Sequence, residues 1–357
     1  MIKYLILRTF YFFGKRKLSN LKYNIYSHLF SKLDFENTLP LNYDEFKSSW
    51  VNIDKGFISH STKNGGLKVF NNVYIDEIGL IFSNFKIHYE SLRYKVWYEK
   101  YNINYLLHVF KTKKQLNLSD DLIVIHDSNS TKNYFHWFID SLPKLFLIKD
   151  IKAKVLVPAN SPKFVKESIL SFGFEIIEID SNSYLHCKKL YYVDFITDSG
   201  YYNPFVQKMA NEIKSNLNII DVVNKHIVFI SRSKSTFRSL DNEIELINYL
   251  EKINAKIIFT ENLNWKQQVE LFSNTKILIS THGAGLTNQI YMPKDSVIIE
   301  IGAKEFYKPD PLCFWVMASY LKHKYYFIPA NLNKDLNFVY TNEIKDKINK
   351  IIKFEND

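Results

Sequence analysis

The chain has 357 residues, a hydrophobic content of 46% and an aromatic content of 16%, with a formal net charge of +10. Such length and apolar content exclude a disordered chain and suffice for two domains of ordinary size, each with a core. Seven of the ten net charges sit in residues 1–33, which hold no acid, so the rest of the chain is close to neutral; with no nucleic-acid motif beside them, nucleic acid is excluded as a partner.

The basic residues of the N-terminal segment (Lys3, Arg8, Lys15, Arg16, Lys17, Lys22, Lys32) alternate with an apolar, aromatic set running from Ile2 to Phe13. A membrane span needs about 20 apolar residues, and Arg8 and Lys15 interrupt this one. No small-residue cleavage site follows, which argues against a signal peptide. The pattern suits either an interfacial helix on an anionic membrane or a first helix packed on the body. Two cysteines, Cys187 and Cys313, lie far apart; neither a disulfide framework nor a zinc site is indicated, and a cytoplasmic location is expected, peripheral on the inner membrane face if the first of those two readings holds.

Residues 34–120 read as mixed, with short strand candidates at Leu67–Tyr74 and Tyr105–Val109. Next come a strand over Asp121–His126, a helical stretch over Tyr134–Ile148, a strand at Lys154–Val157 and a helix over Pro162–Phe172. Glu175–Ile179 and Lys189–Val193 are further strands. A cleaner block follows: strand His226–Ser231, amphipathic helix Asp241–Ile253 with Asp241 as N-cap, strand Lys256–Thr260, helix Trp265–Phe272, strand Lys276–Ser280, a short helix Leu286–Tyr291 and strand Ser296–Ile301. Regular alternation with continuous apolar strands predicts parallel sheets covered by helices on both faces. Ligands of such sheets sit beyond the carboxyl ends of the strands.

Three groups of residues fall at or near such ends. In Ser280-Thr281-His282-Gly283-Ala284-Gly285-Leu286-Thr287-Asn288, two glycines at a strand-to-helix corner let backbone approach an anion, which the N–H groups at the start of the helix favour. His282 is either a donor to a phosphate oxygen or a structural ring bonded to a backbone carbonyl. Glu300, inside an apolar strand, needs donors, either ribose hydroxyls or helix N–H groups. Arg232 and Arg238 flank a polar turn and suit a diphosphate; Asn242 and Glu243 follow, by themselves more typical of a helix start. In the first block, His136 and Asp140 are four residues apart, a spacing that puts a base and its orienting carboxylate on one helix face, or a polar contact between domains. Pro143 implies a kink or a nearby helix start. Asp127, just after a strand, is a further candidate base.

These motifs resemble glycosyltransferase family 61, which includes bacterial capsular-polysaccharide enzymes and eukaryotic xylosyl- and N-acetylglucosaminyltransferases. Three blocks occur in the family's order: Tyr134-Phe135-His136-Trp137 with Asp140, Leu142, Pro143 and Lys144; Ser231-Arg232 with Arg238 and Asn242-Glu243; and His282 to Asn288 followed by Val297 to Ile301. Lys144 stands where Arg is common, keeping the charge without the bidentate fork. The first 120 residues carry no such resemblance and are expected to shape the acceptor side.

The resemblance implies a GT-B-like α/β architecture, two Rossmann-like domains with parallel sheets facing across a cleft. The expected divisions are a segment 1–33, an acceptor-side domain 34–222, a nucleotide-sugar domain 223–330 and a helical tail 331–357. It also implies inversion at the anomeric carbon, with no metal and no cofactor. The sequence is compatible with that, since no Asp-x-Asp occurs, although Glu178-Ile179-Asp180 closes a strand and could hold a metal. The expected activity is sugar transfer from a nucleotide-diphosphate donor, a UDP-sugar, to a glycan or lipid-linked glycan acceptor in surface-polysaccharide synthesis. Donor contacts fall to Arg232, Arg238, Asn242, Glu243, His282, Gly283, Ala284, Gly285, Leu286 and Asn288, with Glu300 on the ribose. The base is His136 or Asp140, with Asp127 in reserve. Alternatives are a pyruvyl or glycerol-phosphate transferase on a similar scaffold, or a non-catalytic nucleotide- or glycan-binding subunit.

Overall fold

The computed structural model describes residues 23–47, 59–93, 97–198, 201, 203–220, 226–235, 238–304 and 312–356. The basic aromatic stretch of residues 1–22, on which the membrane expectation rests, lies outside them. Among the described residues no helix is long and apolar enough to cross a membrane. The chain forms two compact units interleaved in sequence. The first comprises residues 23–31, Lys63–Trp137 and Lys144–Ile196, and the second the described residues of Lys32–Thr62, Phe138–Pro143 and Thr197–Asp357.

In the second unit, five parallel strands stand in the order Lys256–Ile258, His226–Ile230, Thr275–Thr281, Val297–Ala303, Lys324–Ala330. Numbered along the chain this order is 2-1-3-4-5, so the direction of winding reverses between His226–Ile230 and Thr275–Thr281. Side chains alternate across each strand. Phe229, Ile277, Ile279, Ile299 and Ile328 join one core with Leu246 and Leu250 of helix Glu243–Lys252 and Ile344, Ile348, Ile351 and Ile352 of helix Asn342–Asn356. Intervening residues such as Leu278 and Ile298 are equally buried, which explains the unbroken apolar runs. Each such side chain contributes about 1.5–3 kcal/mol on burial. Helix Trp265–Ser273 starts at a capping box between Asn264 and Gln267, satisfying two otherwise orphaned N–H groups.

The first unit corrects the expectation of a wholly parallel sheet. Its nine strands include a parallel run, Ile176–Ile179, Lys154–Pro158, Leu122–Val124 and Ser183–Val193. Beyond it, Gly65–Asp76, Ile81–Ser83 and Lys86–Ile87 continue the sheet antiparallel. Ile81–Ser83 and Lys86–Ile87 follow Gly65–Asp76 through turns too brief for a crossover helix, so these neighbours can only run antiparallel. Tyr105–Val109 is not a strand either: it lies in helix Ile103–Thr112, started by Asn102, whose side chain accepts from the Asn104 N–H. Leu106 and Val109, three apart, turn inward there, so helical spacing overrode the local β-type composition.

The stretch beginning at Tyr134 is helical but not uniform. Trp137–Ser141 forms a π turn, and the α-helix resumes over Leu142–Leu147 with Pro143 in its first turn. Pro143 has no N–H to give to the preceding turn, and it sits where the π turn already interrupts the regular i−4 ladder.

Candidate functional site

The reversal of winding places a crevice beyond the carboxyl ends of His226–Ile230 and Thr275–Thr281, the position where open α/β sheets take ligands. Ser231 and Arg232 leave the first strand; His282 and Gly283 leave the second. They meet. A Cβ built on Gly283 would lie 2.1 Å from Nη1 of Arg232 and 2.7 Å from its Cζ. The backbone of Gly283 is extended, with φ 172°, a conformation open to any residue, so the lack of a side chain serves the arginine and not the turn. Burial lowers the Arg232 pKa, as does the charge of nearby Arg238, while Glu261 and Glu243 oppose the shift. Two cations thus converge on the crevice, which an anion would relieve.

Glu243 fixes the arginine end. It is buried, accepts from the Ser231 hydroxyl, and takes the Arg232 N–H at 3.3 Å. Burial raises its pKa, and both of those bonds oppose that. Its role is therefore to shape the loop, beyond complementing the helix start. Asn242 supplies the sharp entry to that helix: it is left-handed, with φ 54°, and makes no side-chain cap bond, a conformation asparagine tolerates. Asp241 is not the cap; it accepts from Asn333 at 2.7 Å. Arg238, also left-handed at φ 61°, is exposed, and its carbonyl accepts from the Thr281 hydroxyl at 3.0 Å.

Glu300 has no exposed surface, and both of its oxygens are engaged. His282 Nδ1 donates to Oε1 at 2.5 Å and the Tyr325 hydroxyl donates to Oε2 at 2.7 Å. Burial and the Glu300 charge push the Tyr325 pKa far up, so it stays a donor. Glu300 thus orients His282, whose ring is met by a carboxylate and not by a backbone carbonyl. With Nδ1 committed, Nε2 is the nitrogen left for a ligand.

The segment after the glycines, Ala284–Tyr291, is a 3-10 helix. The Leu286 N–H donates to Gly283 O at 3.0 Å, and its side chain is core. The N–H groups of Ala284 and Gly285 open the helix, where no intrahelical partner exists. Asn288, fully buried, donates to Gly285 O and Gln268 Oε1 and locks the corner.

Residues 134–299 match the family model described as Glycosyltransferase 61. This region belongs to the glycosyltransferase 61 family. The chain is 35% identical over 95 residues to an EGF domain-specific O-linked N-acetylglucosamine transferase of Drosophila melanogaster, covering 26% of this chain and 17% of that protein. It is 24% identical over 208 residues to the β-1,2-xylosyltransferase XAX1 of Oryza sativa subsp. japonica, covering 50% and 36%. It is 31% identical over 102 residues to protein O-linked-mannose β-1,4-N-acetylglucosaminyltransferase 2 of Xenopus laevis, covering 27% and 17%. The matched part of the chain thus spans about a third or less of each of these relatives.

The glycosyltransferase 61 region includes the base candidates His136 and Asp140. His136 lies in the first unit and Asp140 in the second. Two residues before Asp140, Phe138 stacks on Trp265 at 5.9 Å and meets Tyr291 edge-on, while Trp265 Nε1 donates to the Tyr291 hydroxyl. Tyr291 ends the helix that follows the glycine corner, so Asp140 is anchored in the same packed region. Asp127 lies just outside the matched region. It is buried, paired with Arg93 Nε at 3.2 Å, and accepts the N–H groups of Asn129 and Ser130. Burial pushes its pKa up, but Arg93, Lys144 and those N–H groups together hold it below the usual carboxylate range.

Lys144, the family position that departs from arginine, is fully buried; its Nζ donates to Ile125 O and lies 3.6 Å from the centre of the Phe195 ring. Sequence alone missed Tyr325 and Thr281, because their roles arise from pairing with distant strands and loops. Among the described residues no group of three or more His, Cys, Asp or Glu side chains is placed to hold a metal. Glu178 pairs with Lys166 at 2.7 Å.

Proposed function

We propose that the chain is an inverting, metal-independent glycosyltransferase of the GT-B type that moves a sugar from a UDP-sugar to a glycan or lipid-linked glycan of a surface polysaccharide. The contact between Arg232 and Gly283 at the reversal point carries this proposal, because it joins a guanidinium to a backbone corner able to receive a diphosphate. In this mechanism the diphosphate rests on the N–H groups of Ala284 and Gly285, with Arg232, Arg238 and Nε2 of His282 around it. Charge builds on the leaving diphosphate as the glycosidic bond breaks. Preorganised cations and N–H groups stabilise that charge more in the transition state than in the ground state. Asp140 takes the proton of the acceptor hydroxyl as that oxygen attacks the anomeric carbon from the face opposite the leaving group.

The test is a thermal-shift panel of UDP-, GDP- and CMP-sugars and phosphoenolpyruvate, with mass detection of nucleotide released by the full chain. Stabilisation by a UDP-sugar, with UDP released and both effects lost in Arg232→Ala, is expected. Stabilisation by phosphoenolpyruvate alone would favour a pyruvyl transferase and overturn the proposal.

A further inference from the structure

A second cavity, of about 210 Å³, lies wholly within the first unit. It opens beyond the carboxyl ends of Leu122–Val124, Lys154–Pro158 and Ile176–Ile179, and the turn after Gly65–Asp76 forms its wall. Its apolar surface comes from Ile78, Pro158 and Ile179, and its polar surface from Glu77, Thr131, Lys132, Asn160 and Asp180.

The wall is held rigidly. Asp76, fully buried, accepts the N–H groups of Ile78 and Leu80 through one oxygen and the Tyr105 hydroxyl through the other. Gly79, at φ 82°, sits where a Cβ would lie 2.6 Å from the His126 carbonyl oxygen, and His126 Nε2 donates to Glu77 O at 3.1 Å. On the opposite side, Asp127 fixes the turn that carries Ser128 and Thr131. A site set before binding avoids the cost of ordering its walls.

Charge narrows the occupant. Glu77 is paired with Lys113 through Oε2, which leaves Oε1 as an acceptor without adding net charge. Asp180 and Lys132 at the rim cancel in sign. A phosphate would face two carboxylates, and a cation would face Lys132 and the already neutralised Glu77. An uncharged ligand rich in hydroxyls suits this set, its O–H groups donating to Glu77 and Asp180 and accepting from Lys132 and Asn160, its C–H face against Ile78, Pro158 and Ile179. The volume is below the roughly 300 Å³ at which drug-sized pockets begin, which suits one ring and not a chain of rings.

We propose that this cavity binds one uncharged monosaccharide unit, and that the unit belongs to the glycan acceptor. Its identity as acceptor rests on the transferase proposal above; binding itself does not. The test is saturation-transfer NMR on the full chain with a panel of methyl glycosides and no donor, using wild type, Ala159→Trp, which fills the cavity, and Asp180→Ala at its exposed rim. At least one glycoside should receive saturation from wild type, lose it in Ala159→Trp, and bind about tenfold more weakly to Asp180→Ala, as for one lost hydrogen bond to a charged group. Thermal melts identify a variant that fails to fold, and the rim variant then decides.

No transfer to any glycoside, transfer undiminished in both folded variants, or displacement of the glycoside by inorganic phosphate would overturn the proposal. Stabilisation by UDP without glycoside binding would sink this proposal and spare the transferase. Glycoside binding at the cavity with no nucleotide effect would do the reverse, leaving a saccharide site on a protein of another activity.

Discussion

The guanidinium of Arg232 fills the space beside Gly283 that any other residue's Cβ would occupy. Because the glycine is extended and not left-handed, its replacement is a question of the arginine alone. Gly283→Ala should leave the fold standing, push Arg232 out of the crevice and lower turnover by about 10²–10³-fold, the range for losing one preorganised electrostatic group. Gly285→Ala is the control. A Cβ there meets Cδ1 of Ile230 at 3.1 Å, the end of a side chain that can give slightly, and at least a tenth of the activity should remain. Equal losses in the two variants, measured as initial rates with melting temperatures, would separate Gly283 from the arginine.

His282, Glu300 and Tyr325 form a second unit of behaviour. His282→Ala removes one donor from a carboxylate without exposed surface, so it should lower stability by about 1–3 kcal/mol as well as activity. Glu300→Gln keeps the shape and removes the charge. The double variant should recover part of the stability lost in His282→Ala, since no buried carboxylate is then short of a donor, yet recover no turnover. Chemical denaturation of all four proteins measures the coupling. Restored turnover in the double variant would show that the pair is structural only.

Much of the second unit was legible in the sequence. Strands buried on both faces read as unbroken apolar runs, so Lys276–Ser280 and Ser296–Ile301 are visible in the sequence, and with them the glycine corner. Partners across parallel strands were not legible. Nothing near Glu300 announces Tyr325, because the two meet through a register set by the whole sheet. Asp127 shows a related limit: its position after a strand suggests a base, while the arginine paired with it lies 34 residues earlier. The first sheet was misjudged because short antiparallel strands leave no crossover helix to mark them. Tyr105–Val109 was misjudged because aromatic and β-branched residues suit a strand and a buried helix face alike.

Asp76 gives the first unit a pH dependence. Burial raises its carboxyl to about 7, with the neighbouring Glu77 adding to the rise; the Tyr105 hydroxyl, the Leu80 N–H and Lys113 oppose it. The folded state therefore binds this proton more tightly than the unfolded chain, whose Asp titrates near about 3.9. The contribution to stability is complete below that value and is lost as pH rises to about 7. The loss is bounded at about 4 kcal/mol by a shift of this size. Asp76→Asn keeps acceptors for the two turn N–H groups and does not titrate. Melting temperatures between pH 4 and pH 8 should fall more steeply in wild type than in the variant; parallel curves would place the titrating group elsewhere.

Asp127 tests whether a buried carboxylate near the family's motifs is catalytic or structural. It faces Arg93, 5% exposed, and Lys144, which is fully buried. Asp127→Asn can still accept the N–H groups of Asn129 and Ser130 but offers no charge to the two cations, a change that should cost about 3–5 kcal/mol. A double variant with Lys144→Met removes one of those cations and should regain part of that loss. The wild-type carboxyl, held below its ordinary range, contributes stability above pH about 4 that disappears on acidification, and the single variant should lack this acid-limb dependence. A base at this position would behave differently: Asp127→Asn would melt like wild type and still fail to turn over. Denaturation curves at pH 3 to 7 with rates at pH 7 separate the two, and unaltered stability with lost turnover would return Asp127 to the chemistry.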